Sequence, residues 1–301
     1  GLSASRVAVP SLGGTINIST KSLEREEGGT ISQSIGSYDA LKTAISYATG
    51  LTDKGWAASF LLSKSTGNGN AEGLNYTGYS YFANISKVIN PSQTLSFNIM
   101  GASQTHGQRY TYQSIASFRA APQGPQRWNS DYGYLNGQYL SAEANTYNKP
   151  LLSLNHSWTI NSTSSLSTVL YASYGTGAAV YVTGKQAGLQ IGSQTAPRTA
   201  GPYSPIDFDA IVQTNQAIPD GNAGTYQINN ENDHKQYGLI STYKRKIGDV
   251  DLLAGIDLRT YTGNHFYRLD NLFGAQYLLD SADKNNPVRH TVVGDKINQN
   301  Y

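Results

Sequence analysis

The feature that most constrains this chain is a period-two alternation of apolar and polar residues that returns in segment after segment. From Leu151 to Ile160, Leu152, Leu154, Trp158 and Ile160 alternate with Ser153, Asn155, Ser157 and Thr159. Successive side chains of a strand point to opposite faces, so such a segment is a strand whose two faces meet different solvents. Trp56 to Ser63 carries Trp56, Ala58, Phe60 and Leu62 on one face, and Thr94 to Gly101 sets Leu95, Phe97 and Ile99 against Thr94, Ser96 and Asn98. From Asp249 to Tyr261, Val250, Leu252, Ala254, Ile256 and Leu258 share a face, while Asp251, Asp257 and Arg259 occupy the other and require water. Weaker alternation covers Thr30 to Ile35, Leu41 to Thr49, Tyr76 to Val88, Leu166 to Tyr174 and Tyr237 to Ile247. Together these predict about nine strands of the length that a tilted transmembrane barrel strand needs.

The connections alternate in length. Short turns at Leu51 to Gly55, Asn90 to Gln93, Asn161 to Ser164 and Lys246 to Asp249 are separated by long polar segments. Those lie at Gly67 to Asn75, Thr105 to Pro150, Gly175 to Gln236 and Thr262 to His290. Short, long, short, long is the pattern of an outer-membrane barrel, with tight periplasmic turns and large extracellular loops. Gly36-Ser37-Tyr38-Asp39, where the pattern calls for an outer loop, predicts a tight first extracellular hairpin. Nine open strands leave two unpaired edges, which lipid does not tolerate, so the barrel is expected to continue beyond Tyr301 or to pair with another chain.

Composition agrees with this reading. Only 38% of the 301 residues are hydrophobic, and no apolar run reaches the roughly 18 residues of a spanning helix. A barrel needs neither, because its polar lumen face and apolar lipid face cancel in any average along the sequence. The 22 tyrosines combine an apolar ring with a wet hydroxyl, which suits the aromatic girdles of a barrel and ligand-gripping loops. With no cysteine there is neither a disulfide scaffold nor a thiolate metal site. A net charge of +2, with scattered basic residues, gives no footprint for nucleic acid.

The first residues carry a more specific signal. Gly13 and Gly14 permit a close backbone approach that a Cβ would block, and Thr15, Ile16, Asn17 and Ile18 alternate as a short strand. The whole run from Gly1 to Lys21 resembles the C-terminal end of the plug domain in TonB-dependent transporters, where a Gly-Gly pair and an Ile-Asn-Ile-like strand ending in Thr-Lys precede the barrel. The hairpin that follows and the Thr-Gly-Leu-Thr-Asp turn at Thr49 to Asp53 resemble the same family, and Gly294 to Tyr301 resembles a strand start found in members from the Bacteroidetes. The resemblance implies an all-β fold: a transmembrane antiparallel β-barrel, part of a 22-stranded one, with residues 1–22 ending the plug and residues 23–301 forming the first part of the barrel. Long extracellular loops are expected near 105–150, 175–236 and 262–290. It further implies active import of a scarce ligand, such as a ferric chelate or an oligosaccharide, across the outer membrane of a Gram-negative bacterium. Its partners would be outer-membrane lipid, TonB acting through the plug, the imported ligand and either a surface lipoprotein or another outer-membrane partner. A passive porin, or a structural barrel that binds a partner, is the alternative.

A transporter should grip its ligand with its outer loops. Arg109, Tyr110, Tyr112, Arg127, Trp128, Tyr132 and Tyr134, with Phe118 and Arg119 among them, combine rings that stack on sugars or aromatic chelators with guanidinium groups that pair with anionic chelates. The competing role for each is packing within the loop. Of the five histidines, His106, His234, His265 and His290 fall in predicted loops and His156 on a strand, without paired metal-ligand spacing. Gly67 to Gly73 lacks the strand-to-helix setting and the Lys-Ser/Thr of a phosphate cradle. Asp207 with Asp209, and Asp280 with Asp283, read as solvated loop charges. The sequence offers no catalytic triad, no metal site and no cofactor motif, so no enzyme activity is expected.

Overall fold

The computed structural model describes residues 23, 25–184, 196–281 and 285–297. The plug-end motif at Gly13, Gly14, Thr15, Ile16, Asn17 and Ile18 lies outside them. The alternating segments fold as strands. β1 (Glu27–Gly36), β2 (Ala40–Thr49), β3 (Trp56–Gly67), β4 (Tyr76–Asn90) and β5 (Gln93–Gly107) form an antiparallel meander in sequence order. After α1 (Ile115–Ala120), β6 (Tyr132–Leu135) and β7 (Gln138–Ser141), the sheet resumes with β8 (Glu143–Asn148), β9 (Leu151–Asn161) and β10 (Ser164–Gly184). Then come β11 (Ile206–Asp207), α2 (Phe208–Gln216), β12 (Thr225–Ile247), β13 (Val250–Asn271), β14 (Leu278–Asp280), β15 (Arg289–Thr291) and β16 (Lys296–Ile297). The main sheet holds eleven strands in the order β1-β2-β3-β4-β5-β8-β10-β12-β13-β16, with β9 also between β5 and β10.

β8 and β9 are one strand with a break. Opposite β5, Ser103 pairs Asn148 and Met100 pairs Leu151; opposite β10, Thr176 pairs Asn148 and Ser173 pairs Leu151. The register is therefore unchanged across Lys149 and Pro150. Pro150 has no N–H to give the ladder, but its carbonyl still accepts from the Ser173 hydroxyl at 2.9 Å. Counting these two as one, and leaving aside the two-residue β16, the eleven strands make nine crossings among the described residues, as the alternation predicts.

The short turns are built by local side-chain bonds. The Asn90 carboxamide oxygen accepts from the Ser92 N–H and hydroxyl, and the Asn161 oxygen does the same for Thr163. Each is an asparagine turn at the foot of a hairpin. The first hairpin closes through Tyr38 and Asp39, both at positive φ (60° and 55°), as a tight right-twisted turn demands. Neither is glycine, so the conformation is held from outside. Asn68 donates its N–H to the Tyr38 carbonyl and its amide to Asp39 Oδ2 at 2.6 Å.

Register makes the two faces continuous. Ala58, Ile85, Phe97, Leu154, Leu170, Leu239 and Leu258 are successive cross-strand partners from β3 to β13. Ile85, Phe97, Leu154, Leu170 and Leu258 in this row are all exposed. One residue away, on the other face, runs Ser59, Asn84, Asn98, Ser153, Tyr171, Gly238 and Arg259. Asn84 donates to Asn98 at 2.7 Å, Ser86 to Asn84 at 2.8 Å, and Asn98 to Ser153 at 3.3 Å. An exposed aliphatic row backed by a hydrogen-bonded polar row suits a wall between hydrocarbon and water. Aromatics and lysines mark the edges of the apolar face: Lys87 lies 5.0 Å over the Trp56 ring at the foot, and Lys235 lies 5.4 Å over Tyr174 higher up. Tyr81 covers Gly101 and Tyr171 covers Gly238 so closely that a Cβ at either glycine would meet the ring within 2.5 Å. The rings fill the gaps that the missing side chains leave in the sheet.

The tall strands depart from the sequence expectation. β10, β12 and β13 run 21, 23 and 22 residues, about twice what a crossing requires. The alternation predicts that β10 ends near Tyr174 and β12 begins near Tyr237; both continue well beyond, because they keep pairing with one another after the apolar alternation stops. Their tops carry two small cores. Ala142, Val182, Ile206, Phe208, Ile211 and Phe273 form one, with Phe208 stacked on Phe273 at 5.4 Å. Ala223, Ile228, Leu269, Leu272, Leu278 and Ile297 form the other. Buried Asn215 on α2 joins helix to strands: its amide donates to the Thr225, Leu272 and Phe273 carbonyls, and its oxygen accepts from the Gly224 and Thr225 N–H groups.

Candidate functional site

Above the level of a crossing, the polar face becomes an aromatic and amide-rich rim. Tyr76, His106, Asn145, Ala179, Asn230 and Tyr267 are consecutive cross-strand partners across β4, β5, β8, β10, β12 and β13. One row lower, Gln104 pairs Tyr147, Tyr147 pairs Gly177, and Asn232 pairs His265. Tyr147 packs its Cβ over Gly177, and this exposed residue borders three clefts. A cleft of about 480 Å³ has Tyr76, Gln104, His106 and Tyr147 in its walls. The next, about 270 Å³, is bordered by Asn145, Tyr147, Lys149, Asn232 and His234. Flat rings beside amide donors and acceptors can stack on a planar or saccharide ligand and hydrogen-bond its edge.

This rim was missed in the sequence. The sequence places His106, His234, His265 and His290 in loops, whereas in the fold they sit on β5, β12, β13 and β15. The available signal was the alternation itself: continued upward from Tyr237, every second residue gives Lys235, Asp233 and Glu231 on one face and Gln236, His234, Asn232 and Asn230 on the other.

The predicted loop cluster separates into two groups. Trp128 is fully buried, held edge-on between Phe118 at 5.2 Å and Tyr203 at 5.3 Å. Arg109 donates to the Gln126 and Trp128 carbonyls and lies over the Phe118 ring. Arg127 donates to the Asn70 carbonyl and covers Tyr38, tying this segment to the first hairpin. Tyr132 is buried against Tyr139 and donates to Glu72 Oε2 at 2.9 Å. Burial, then that hydrogen bond, pushes its phenol upward, so it stays a proton donor. These four side chains shape the loop. Tyr110, Tyr112 and Tyr134 are exposed, Tyr112 at 95%, and remain open to a ligand.

A polar knot fixes this loop to the strand tops. The fully buried carboxylate of Asp131 accepts from the Tyr110 and Thr111 N–H groups at 2.7 and 2.8 Å and from the Ser130 hydroxyl. Asn129 donates to the Glu72 and Gln108 carbonyls, and Arg198 donates to the Ser130 and Ser204 carbonyls. Glu143 is drawn into the same knot; burial, then repulsion from Asp131, pushes its carboxyl up to about 8. The acidic pairs weighed in the sequence also have structural work. Asp207 caps α2 by accepting from the Ala210 N–H, Asp209 accepts from the Asn136 N–H, and Asp280 is buried rather than solvated. Asp283 lies outside the described residues. Among the described residues no three His, Cys, Asp or Glu side chains gather as a metal site.

With this geometry in hand, the solved structures decide the fold. The closed form of the ferric-catecholate import receptor Fiu from K12 E. coli superposes with a TM-score of 0.56 at 11% identity, over 94% of this chain and 38% of that one. The chain has the fold of part of a receptor barrel. The ferripyoverdine receptor of the outer membrane of Pseudomonas aeruginosa gives 0.53 at 9% identity, over 83% of this chain and 29% of that one. The open form of Fiu gives 0.52, over 90% and 40%. The chain thus spans well under half the length of the receptors it resembles. No family model and no curated protein matches its sequence.

Proposed function

We propose that this chain is the end of the plug and the first half of the barrel of a TonB-dependent transporter in the outer membrane of a Gram-negative bacterium. The whole protein imports a scarce ligand, a ferric chelate or an oligosaccharide. The observation that carries the reading is the nine-crossing sheet itself, apolar and exposed on one face and hydrogen-bonded and polar on the other, in the fold of outer-membrane receptors. Ligand binds to the rim around Tyr76, Gln104 and Tyr147, with Tyr110, Tyr112 and Tyr134 meeting it from the loop above. Residues 105–150, 175–236 and 262–290 face the cell exterior, and residues 1–22 pass the pull of TonB into the lumen. A surface lipoprotein or another outer-membrane partner would complete the assembly.

The test is uptake of a radiolabelled ferric catecholate and of labelled oligosaccharides by cells carrying the full-length protein. Uptake of one probe should stop when TonB is removed, and should fall when Tyr147→Ala or deletion of residues 109–134 is introduced. Uptake that continues undiminished without TonB would identify a passive barrel instead.

A further inference from the structure

Three rings come together on the polar face in the upper half of the β12–β13 pair. His234 Nδ1 is hydrogen-bonded to the Tyr261 hydroxyl, and the two rings are 5.6 Å apart. The His234 and His265 rings are 5.8 Å apart and nearly perpendicular, at 74°. Gly263, the cross-strand partner of His234, lies between Tyr261 and His265 on the same face of β13. An ideal Cβ built on Gly263 would lie 3.2 Å from His265 Nε2 and 3.3 Å from the Tyr261 oxygen. The missing side chain therefore leaves a space bordered by the His265 Nε2 and the Tyr261 oxygen, and that oxygen is the one hydrogen-bonded to His234 Nδ1.

The geometry points to a divalent copper site in which His234, Tyr261 and His265 are the ligands. A metal–imidazole bond of about 2.0–2.1 Å places a ring centre roughly 3 Å from the ion, so two imidazoles sharing one ion stand about 5–6 Å apart. The observed 5.8 Å meets this condition. The outer shell is present too. His265 Nδ1 is 2.5 Å from the Asn232 carboxamide oxygen, which fixes the tautomer that leaves Nε2 free to bind. A mixed nitrogen and oxygen set suits Cu(II) in a tetragonal geometry, and copper stands highest among the divalent first-row ions in affinity for such donors. On binding, the Tyr261 phenol loses its proton to water, while both imidazoles bind neutral. Lys149 packs its stem over Gly175 on the flank of His234. Its ammonium can extend into water, where its repulsion is screened.

This site rests on strand register and ring geometry, so it stands or falls apart from the import reading. The experiment is titration of the full-length, detergent-purified protein with Cu(II) alone, followed by electron paramagnetic resonance and visible absorption. One high-affinity equivalent is expected, with nitrogen hyperfine structure and a phenolate-to-copper charge-transfer band. Tyr261→Phe should abolish the band, His265→Gln should weaken binding by roughly tenfold or more, and Asn232→Ala should weaken it roughly tenfold. His290→Gln should leave all three signals unchanged. Equal affinity and identical spectra in wild type and in the His234→Gln/His265→Gln double variant would overturn the site. So would a charge-transfer band that survives Tyr261→Phe.

Discussion

At the scale of single residues, the loops owe their shape to side chains whose sequence signature is that of a ligand site. Arginines among aromatics read equally as a binding surface or as internal packing, and Arg109 and Arg127 show why: each satisfies loop carbonyls while covering a ring. Glu143 gives this level a measurable consequence. Its folded carboxyl titrates near 8, above its ordinary value of 4.5. The folded state thus holds a proton that the opened state releases, and the knot's stability falls as pH rises from about 4.5 toward about 8. Amide hydrogen exchange at Tyr110, Thr111 and Asp131 should show opening that becomes easier over that range, beyond the intrinsic pH dependence of exchange. Glu143→Gln should flatten the trend, and an unchanged trend in that variant would remove Glu143 as its cause.

At the scale of elements, alternation decides which face meets lipid. Leu154 sits mid-strand in β9, between Phe97 and Leu170. Leu154→Arg should therefore destabilise the barrel by about 2–4 kcal/mol in urea unfolding from lipid vesicles, as a charge near the bilayer midplane does. Ser153→Arg, one position away on the polar face, should cost far less. The same alternation made the crossings and short turns legible in the sequence, because each strand segment displays its own two-solvent environment. The tall upper halves of β10, β12 and β13 were not legible. There loops and α2 cover parts of both faces, the two-solvent periodicity fades, and pairing persists because the neighbouring strand is also present. The small cores were hidden for a related reason: Ile206, Phe208, Ile211 and Phe273 are scattered through polar sequence and find one another only when α2 docks on the strand tops. The rim residues share that history, since His106, His234 and His265 acquire a common face only through register.

At the scale of the whole molecule, the sheet is a wall with two unequal surfaces and an edge. On β1, Ile31 and Ile35 are 78% and 84% exposed, a state that hydrocarbon or a neighbouring strand would relieve. In the proposed barrel the Leu154 row faces lipid and the Ser153 row faces a watery lumen. The chain itself contains no cysteine; with any cysteine elsewhere in the full-length protein replaced, single cysteines can be placed at successive positions from Leu151 to Ile160 and spin-labelled in bilayers. The decisive measurement is the collision rate of each label with oxygen, which concentrates in lipid, against a water-soluble nickel complex. A period of two is expected, with Leu152, Leu154 and Trp158 favouring oxygen and Ser153, Asn155 and Ser157 favouring nickel. Labels that are equally accessible to nickel on both faces, or a reversed phase, would contradict it.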